Sequence, residues 1–320
     1  MENNNNNSSD ASQWSVFKSQ HCRIWFGVAQ QFDSTGKTTD VFRVMHSYKP
    51  RLNSVDGSEI EHSNVYYYDD DRGTVTSSPR CGPWFYKEED SITIGFKGVK
   101  HPKWPNTKFI FFPTGSGIMF NNSAVNYGSV ETCVKLFVLH PQRPNIRLSV
   151  MVEYCELTLQ SCKVYFENSD GWKSPFWEEQ ESHDLITPIT PLTSSVVSRQ
   201  TIDFNLNFSS SQEDPKPLQS DHVFSFDSDS IGSIFDNAPS DYLSFNPTKN
   251  VTITCPKFMK PNVNSSDGSL NGTQRAASFV AVRWNQAPDN CASDVIAEFD
   301  LDTRFKSLTE IHYKHSTVEA

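Results

Sequence analysis

The sequence predicts an all-β protein built as two consecutive antiparallel barrels. Three observations predict it. Apolar and polar residues alternate with a period of two in run after run between Trp14 and Tyr313. No stretch carries apolar residues at helical spacing over three turns. Gly, Asp, Asn and Pro punctuate the alternating runs, as in Asp33-Ser34-Thr35-Gly36 and Asp71-Arg72-Gly73. Many short strands with almost no helix must close or sandwich to hide their edges. At 320 residues the chain is about twice the usual domain size, so two such units are expected.

Residues 1–13 are rich in Asn and Ser and read as a disordered tail. Strands are then expected at Ile24–Val28, Val41–Ser47, Ile60–Tyr68, Ile92–Phe96, Lys108–Phe112, Gly117–Asn121 and Val134–Leu139. In Arg147–Tyr154, Leu148, Val150, Val152 and Tyr154 alternate with Arg147, Ser149, Met151 and Glu153, and Cys162–Glu167 alternates likewise. An antiparallel hairpin with opposing positions summing to 316 sets Val150 against Phe166, Val152 against Val164 and Tyr154 against Cys162. The same register sets Glu153 against Lys163, a favourable cross-strand charge pair. Further strands are expected at Asn250–Cys255, Ser278–Trp284, Val295–Phe299 and Ser307–Tyr313.

A faint repeat links the halves at an offset of roughly 145 residues. Glu153-Tyr154, a turn and Ser161-Cys-Lys-Val parallel Glu298-Phe299, a turn and Lys306-Ser-Leu-Thr. These features set the expected boundaries: a first barrel over 14–170 and a second over 171–316. Residues 209–248 interrupt the second with a Ser-, Asp- and Pro-rich acidic insertion, expected to be mobile. Ser225, Ser228 and Ser230 lie there beside acidic neighbours and are expected phosphorylation sites. Pro261–Arg275 reads as a second unstructured loop.

A net charge of −10 argues against nucleic acid or an anionic membrane as the main partner. The N-terminus has no basic and apolar signal segment, and no apolar run approaches membrane-spanning length. Seven scattered cysteines without a CxxC fit reduced thiols, so a cytoplasmic location is expected. The nine histidines form no HxH or HExxH pattern, so no metal site is indicated. Asp227-Ser-Asp229-Ser-Ile231-Gly232 opens like a calcium loop, but Ile231 and Ala238 fall where ligands are required. Gly115-Ser116-Gly117 lacks the surroundings of a nucleophile elbow and reads as a turn. No cofactor is called for.

Large aromatics carry more information. Trp25, Tyr66, Trp84 and Tyr154 lie on or beside expected strands and either fill a core or line an apolar cavity. Asn64 shares a face with Tyr66 in a regular strand. Its amide needs a partner, either a bound ligand or a neighbouring strand or loop.

The run His21-Cys-Arg-Ile-Trp25-Phe-Gly27, then Phe32-Asp-Ser-Thr-Gly36, then Glu61-His-Ser-Asn64-Val-Tyr66 resembles the start of a lipocalin-like (calycin) family, domain of unknown function 3598. Ile146–Tyr154 and Val164–Glu167 resemble the terminal hairpin of its first barrel. Asn250–Lys257, Phe279–Trp284 and Lys306–Glu310 resemble its second. The resemblance spans nearly the whole chain from about residue 14 and departs from the family at the acidic insertion and near Trp172–Trp177. It implies two calycin-type barrels, with small hydrophobic molecules as ligands by analogy. It also implies that Trp25 closes one barrel end beneath Arg147, a cation–π contact worth about 1 kcal/mol. Alternation sets Arg147 on the face opposite Leu148 and Val150, so parity is expected to break at that strand end.

The leading expectation is a carrier for a small, largely apolar molecule in the first barrel, with Asn64, Tyr66, Tyr154 and Trp84 as ligand contacts. A scaffold with packed barrels is the first alternative. The second is a calycin-type isomerase, cyclase or bilin lyase using Glu167 or Cys155, which requires a titratable group facing the cavity.

Overall fold

The computed structural model describes residues 12–52, 54, 57–69, 75–91, 98–104, 107–121, 131–177, 194–203, 234–235, 238–259, 278–286, 291–299 and 305–315. It opens on a short helix, not a strand. Helix α1 (Gln13–Val16) is capped by Ser12, whose hydroxyl accepts from the Ser15 N–H, and runs into a π-helical turn at Phe17–His21. Trp14, Phe17 and His21 stand at helical spacing and are all buried. This amphipathic stretch spans about two turns, short of what a three-turn criterion can register.

The first sheet contains β1 (Ile24–Asp33), β2 (Thr38–Pro50), β3 (Glu59–Asp69), β4 (Val75–Ser77), β5 (Cys81–Lys87), β6 (Val99–Lys100), β7 (Thr107–Phe111), β8 (Gly117–Asn121), β9 (Glu131–Leu139), β10 (Ile146–Cys155) and β11 (Thr158–Asn168). Its order is β4-β3-β2-β1-β11-β10-β9-β8-β7-β6, with β5 also paired to β3. The second sheet contains β12 (Ser194–Asp203), β13 (Tyr242–Thr248), β14 (Val251–Pro256), β15 (Ser278–Gln286), β16 (Cys291–Phe299) and β17 (Phe305–His315), in the order β12-β17-β16-β15-β14-β13. Among the described residues every strand pairing is antiparallel, and no helix is long and apolar enough to cross a membrane.

Where the sequence predicts closed barrels, the ladders stop short of closure among the described residues. The first sheet curls until its edges meet through side chains instead. Tyr86 of β5 stands 5.9 Å from Phe109 of β7, and Trp84 stands 5.8 Å from His101, just beyond β6. Strand β6 has two residues and runs toward Pro102, which has no N–H to extend a ladder.

The two faces of the first sheet have different partners. Leu148, Val150, Val152 and Tyr154 of β10, with Leu136 and Phe166, pack against Val251, Val282, Val295 and Leu308 of the second sheet in one continuous apolar core. Burying each such side chain is worth about 1.5–3 kcal/mol, so this shared face holds the sheets together. The opposite face lines the concave side of the curl. Arg147 therefore reaches the concave side by ordinary alternation, and no break of parity occurs.

The β10–β11 register differs from the expected one by two residues: Val150 faces Val164 and Leu148 faces Phe166. Glu156 and Leu157, both at positive φ, form a two-residue turn with Cys155 opposite Thr158, and the register shifts once between Glu153 and Tyr154. Lys163 is thus diagonal to Glu153, yet its Nζ still lies 2.8 Å from Glu153 Oε2. Strands β16 and β17 repeat this design. Glu153 faces Ser161 and Glu298 faces Ser307, each serine donates to its glutamate, and each ladder shifts immediately after the glutamate. Tyr154 and Phe299, the next residues, are both buried in the shared core.

Within the expected mobile insertion over 209–248, the described residues 234–235 and 238–248 include packed and strand-forming ones. Ile234 and Phe235 are buried against Ala281, Ile296 and Ile311, and β13 occupies 242–248 as an edge strand. Ser225, Ser228, Ser230, the Ile92–Phe96 run, the Pro261–Arg275 loop and most of the 1–13 tail lie outside the described residues. Strands β4, β5, β6, β12 and β13 were not expected.

Candidate functional site

Arg147 and Glu167 stand directly opposite one another in the β10–β11 ladder. Their exposures are 1% and 0%, and the pair is bidentate: Arg147 Nε donates to Glu167 Oε2 at 2.7 Å and Nη2 donates to Oε1 at 2.9 Å. His46 Nδ1 donates to Oε1 at 2.7 Å and Ser149 Oγ donates to Oε2 at 2.7 Å, so both carboxylate oxygens are saturated. Burial alone pushes this carboxyl up, but Arg147 and His46 together outweigh it and hold it well below the usual range. Gly27 makes the close approach of β1 possible, because a Cβ there would lie 3.0 Å from Glu167 Cγ.

His21 closes the network from below. Its Nε2 donates to the Gly115 carbonyl at 2.8 Å, which leaves Nδ1 to accept from Arg147 Nη1 at 3.1 Å. The ring is therefore neutral, and burial and then Arg147 push its pKa down to about 3. Burial lowers His46 to about 4 against the pull of Glu167. The Arg147 guanidinium lies 4.1 Å from the centre of the Trp25 ring, and Trp25 Nε1 donates to the His21 carbonyl at 3.1 Å. The helical stretch before β1 seals this end, with Phe17 against Tyr48, Tyr86 and Phe111.

Toward the other end the concave face becomes less buried. Lys135 of β9 lies directly across the ladders from Met119 and Met151, both half-buried. Its ammonium is 4.6 Å from the centre of Tyr165 and 5.3 Å from that of Phe137. The residue is 8% exposed, and burial lowers its pKa to about 8. Its charge also acts on His46 and His62, so it reaches across the curl toward β2 and β3.

Asn64, Tyr66 and Trp84 share this concave side. Asn64 Oδ1 accepts from His62 Nε2 at 2.7 Å, so the amide has its partner within its own strand. His62 is stacked on Tyr48 at 3.9 Å and lies 4.9 Å from Trp84. Tyr66 is half-buried with its ring edge-on to Phe42, and burial raises its phenol pKa. Tyr154 is not with them. It faces the second sheet beside Cys255, fully buried, with its phenol pushed well above the usual range by burial. Cys155 is half-buried at the hairpin end, away from the Glu167 network. His21, His46, Ser149 and Lys135 escaped the sequence reading. Ser149 had a signal, since it shares a strand face with Arg147, but the two histidines come from segments distant in sequence.

A family model described as domain of unknown function (DUF3598), N-terminal, matches residues 10–171. A protein of unknown function from the DUF3598 family of Nostoc punctiforme PCC 73102 has a similar solved structure. It shares 13% identity at a TM-score of 0.50, covering 95% of this chain and 99% of that one. An S-type phycobiliprotein lyase from Guillardia theta aligns at 8% identity with a TM-score of 0.33, covering 50% of this chain and 94% of that one. No curated protein matches the sequence.

Proposed function

The chain belongs to the DUF3598 family, and from the geometry of its first sheet we infer that it is a non-catalytic binding protein for a small, largely apolar molecule. The observation that carries this reading is the gradient along the concave face. One end is sealed by helix, Trp25 and a saturated Arg147–Glu167 network, while Tyr66, Met119 and Met151 remain half-buried toward the other. A rigid floor with an adaptable apolar wall suits a ligand pocket, and methionines re-pack readily around varied shapes. Asn64, Tyr66 and Trp84 are the proposed contacts, and Tyr154 supports the wall from behind. The curl of the first sheet supports a calycin-type barrel, and the matching terminal hairpins support two related units over 14–170 and 171–316. A cytoplasmic location, with the 209–248 segment open to phosphorylation, completes the proposal.

The state of Glu167 favours a carrier over an enzyme. A general acid must hold and release a proton near working pH, whereas this carboxylate is kept ionised by four donors. Native mass spectrometry of protein purified from its source cells tests the reading. A mass excess released on denaturation is expected, and a chain found only at its sequence mass would count against it.

A further inference from the structure

Among the described side chains, five charged groups on β9, β10 and β11 share the concave face by alternation: Lys135, Arg147, Glu153, Lys163 and Glu167. Four are paired, Arg147 with Glu167 and Lys163 with Glu153. Lys135 is the fifth. Among the described residues its ammonium has aromatic neighbours but no hydrogen-bonded carboxylate, because the Glu167 oxygens are already taken by Arg147, His46 and Ser149. A nine-tenths buried cation without a hydrogen-bonded anion is costly: Glu167 favours its charge from a distance, but burial outweighs that attraction, so a direct partner would stabilise it.

We propose that Lys135 receives the carboxylate of a bound monoanionic amphiphile, whose apolar body lies along Met119, Met151 and Tyr66. This deepens the binding reading and rests on it. The sign follows from the unbalanced ammonium. A single ammonium without a hydrogen-bonded carboxylate fits a monoanion, since a phosphate dianion calls for a second cation beside it and Arg147 is committed to Glu167. The apolar body follows from the two methionines directly flanking Lys135 in the ladders and from the aromatic surroundings. The lysine stem packs among these groups while its head stays available, so the site is set before the ligand enters.

The test uses the purified full chain with two fluorescent probes, 11-(dansylamino)undecanoic acid and its uncharged methyl ester. The wild-type protein is expected to bind the acid about tenfold more tightly than the ester, as one charge-assisted hydrogen bond provides. Lys135→Met should bring the acid down to the affinity of the ester and leave the ester unchanged, while Lys135→Arg keeps the preference. Equal binding of acid and ester to wild-type protein would overturn the assignment of Lys135 and leave the binding reading standing. A preference that survives in a folded Lys135→Met chain would do the same. Failure of both probes to bind wild-type protein would remove the binding reading and this inference together. The wild-type comparison holds whether or not the methionine variant folds.

Discussion

Arg147–Glu167 in the first sheet and Arg283–Asp294 in the second are chemically the same device. Each pair stands directly opposite in an antiparallel ladder and each is bidentate, with Arg283 Nε and Nη2 both 2.9 Å from the Asp294 oxygens. Both carboxylates are fully buried. They differ in what surrounds the guanidinium. Arg147 is 1% exposed and hemmed in by His21 and Trp25, whereas Arg283 is 20% exposed, stacks on Phe235 at 4.4 Å and keeps a route to water. Tyr313 supplies the remaining donor to Asp294 at 2.8 Å. The difference teaches that burying an ion pair is common to both halves, while surrounding it with neutral histidines and a buried lysine that makes no hydrogen bond to a carboxylate among the described residues belongs to the first. The second pair reads as structural, and the first forms the floor of the proposed site.

Removing one carboxylate from each pair should separate the two settings. Glu167→Ala leaves Arg147 charged and cut off from water, with an expected loss of about 3–5 kcal/mol in urea-induced unfolding. Asp294→Ala should cost less, about 1–3 kcal/mol, because Arg283 can turn outward to solvent. Equal losses would erase the distinction.

Acid should weaken the first sheet first. His21 and His46 are held neutral at pKa values of about 3 and about 4, below the ordinary 6.5 that they regain on unfolding. Between those limits the unfolded chain binds more protons than the folded one. Stability is therefore complete above pH 6.5 and falls as the pH drops toward 4, by about 1.4 kcal/mol per unit for each histidine. The depressed Glu167 adds a loss of the same sign at still lower pH. Hydrogen exchange at pH 7 and pH 4.5 checks this. The amides of β1, β2 and β11 should lose protection ahead of those of β15 and β16; a uniform loss would contradict the assignment.

Much of this architecture is legible in the sequence, because period-two alternation follows directly from the geometry of a strand. It located the β10–β11 hairpin, and the Glu153-Tyr154 and Glu298-Phe299 steps of the faint repeat coincide with matching ladder shifts in β10–β11 and β16–β17. It misread the register because two residues, Glu156 and Leu157, close the turn without the Gly or Asn that usually marks positive φ. It also could not tell which apolar face meets which partner. Tyr154 looked like a wall residue of a cavity because nothing local shows that β10 turns its apolar face to another sheet. The concave face was partly visible: Trp25, Arg147, Asn64 and Tyr66, which lie on it, could be named. His21 and His46 could not, since each lies over 100 residues from the ion pair it serves.

The misplacement of Tyr154 yields the smallest expected effect. Tyr154→Phe should change stability by less than about 1 kcal/mol and leave probe binding untouched, whereas Asn64→Ala should weaken probe binding severalfold by freeing His62. If Tyr154→Phe were the more damaging to binding, the orientation of β10 would be wrong.

The central claim is that the ligand lies on the concave face of the first sheet. Met151→Trp tests it most directly, because the larger ring extends from a half-buried position into that face while the shared core lies on the other side of β10. Titration with the uncharged dye Nile red, alongside far-ultraviolet circular dichroism, provides the measurement. Wild-type protein is predicted to bind the dye, and Met151→Trp to lose that binding with an unchanged β spectrum. Undiminished binding by the folded variant would contradict the account.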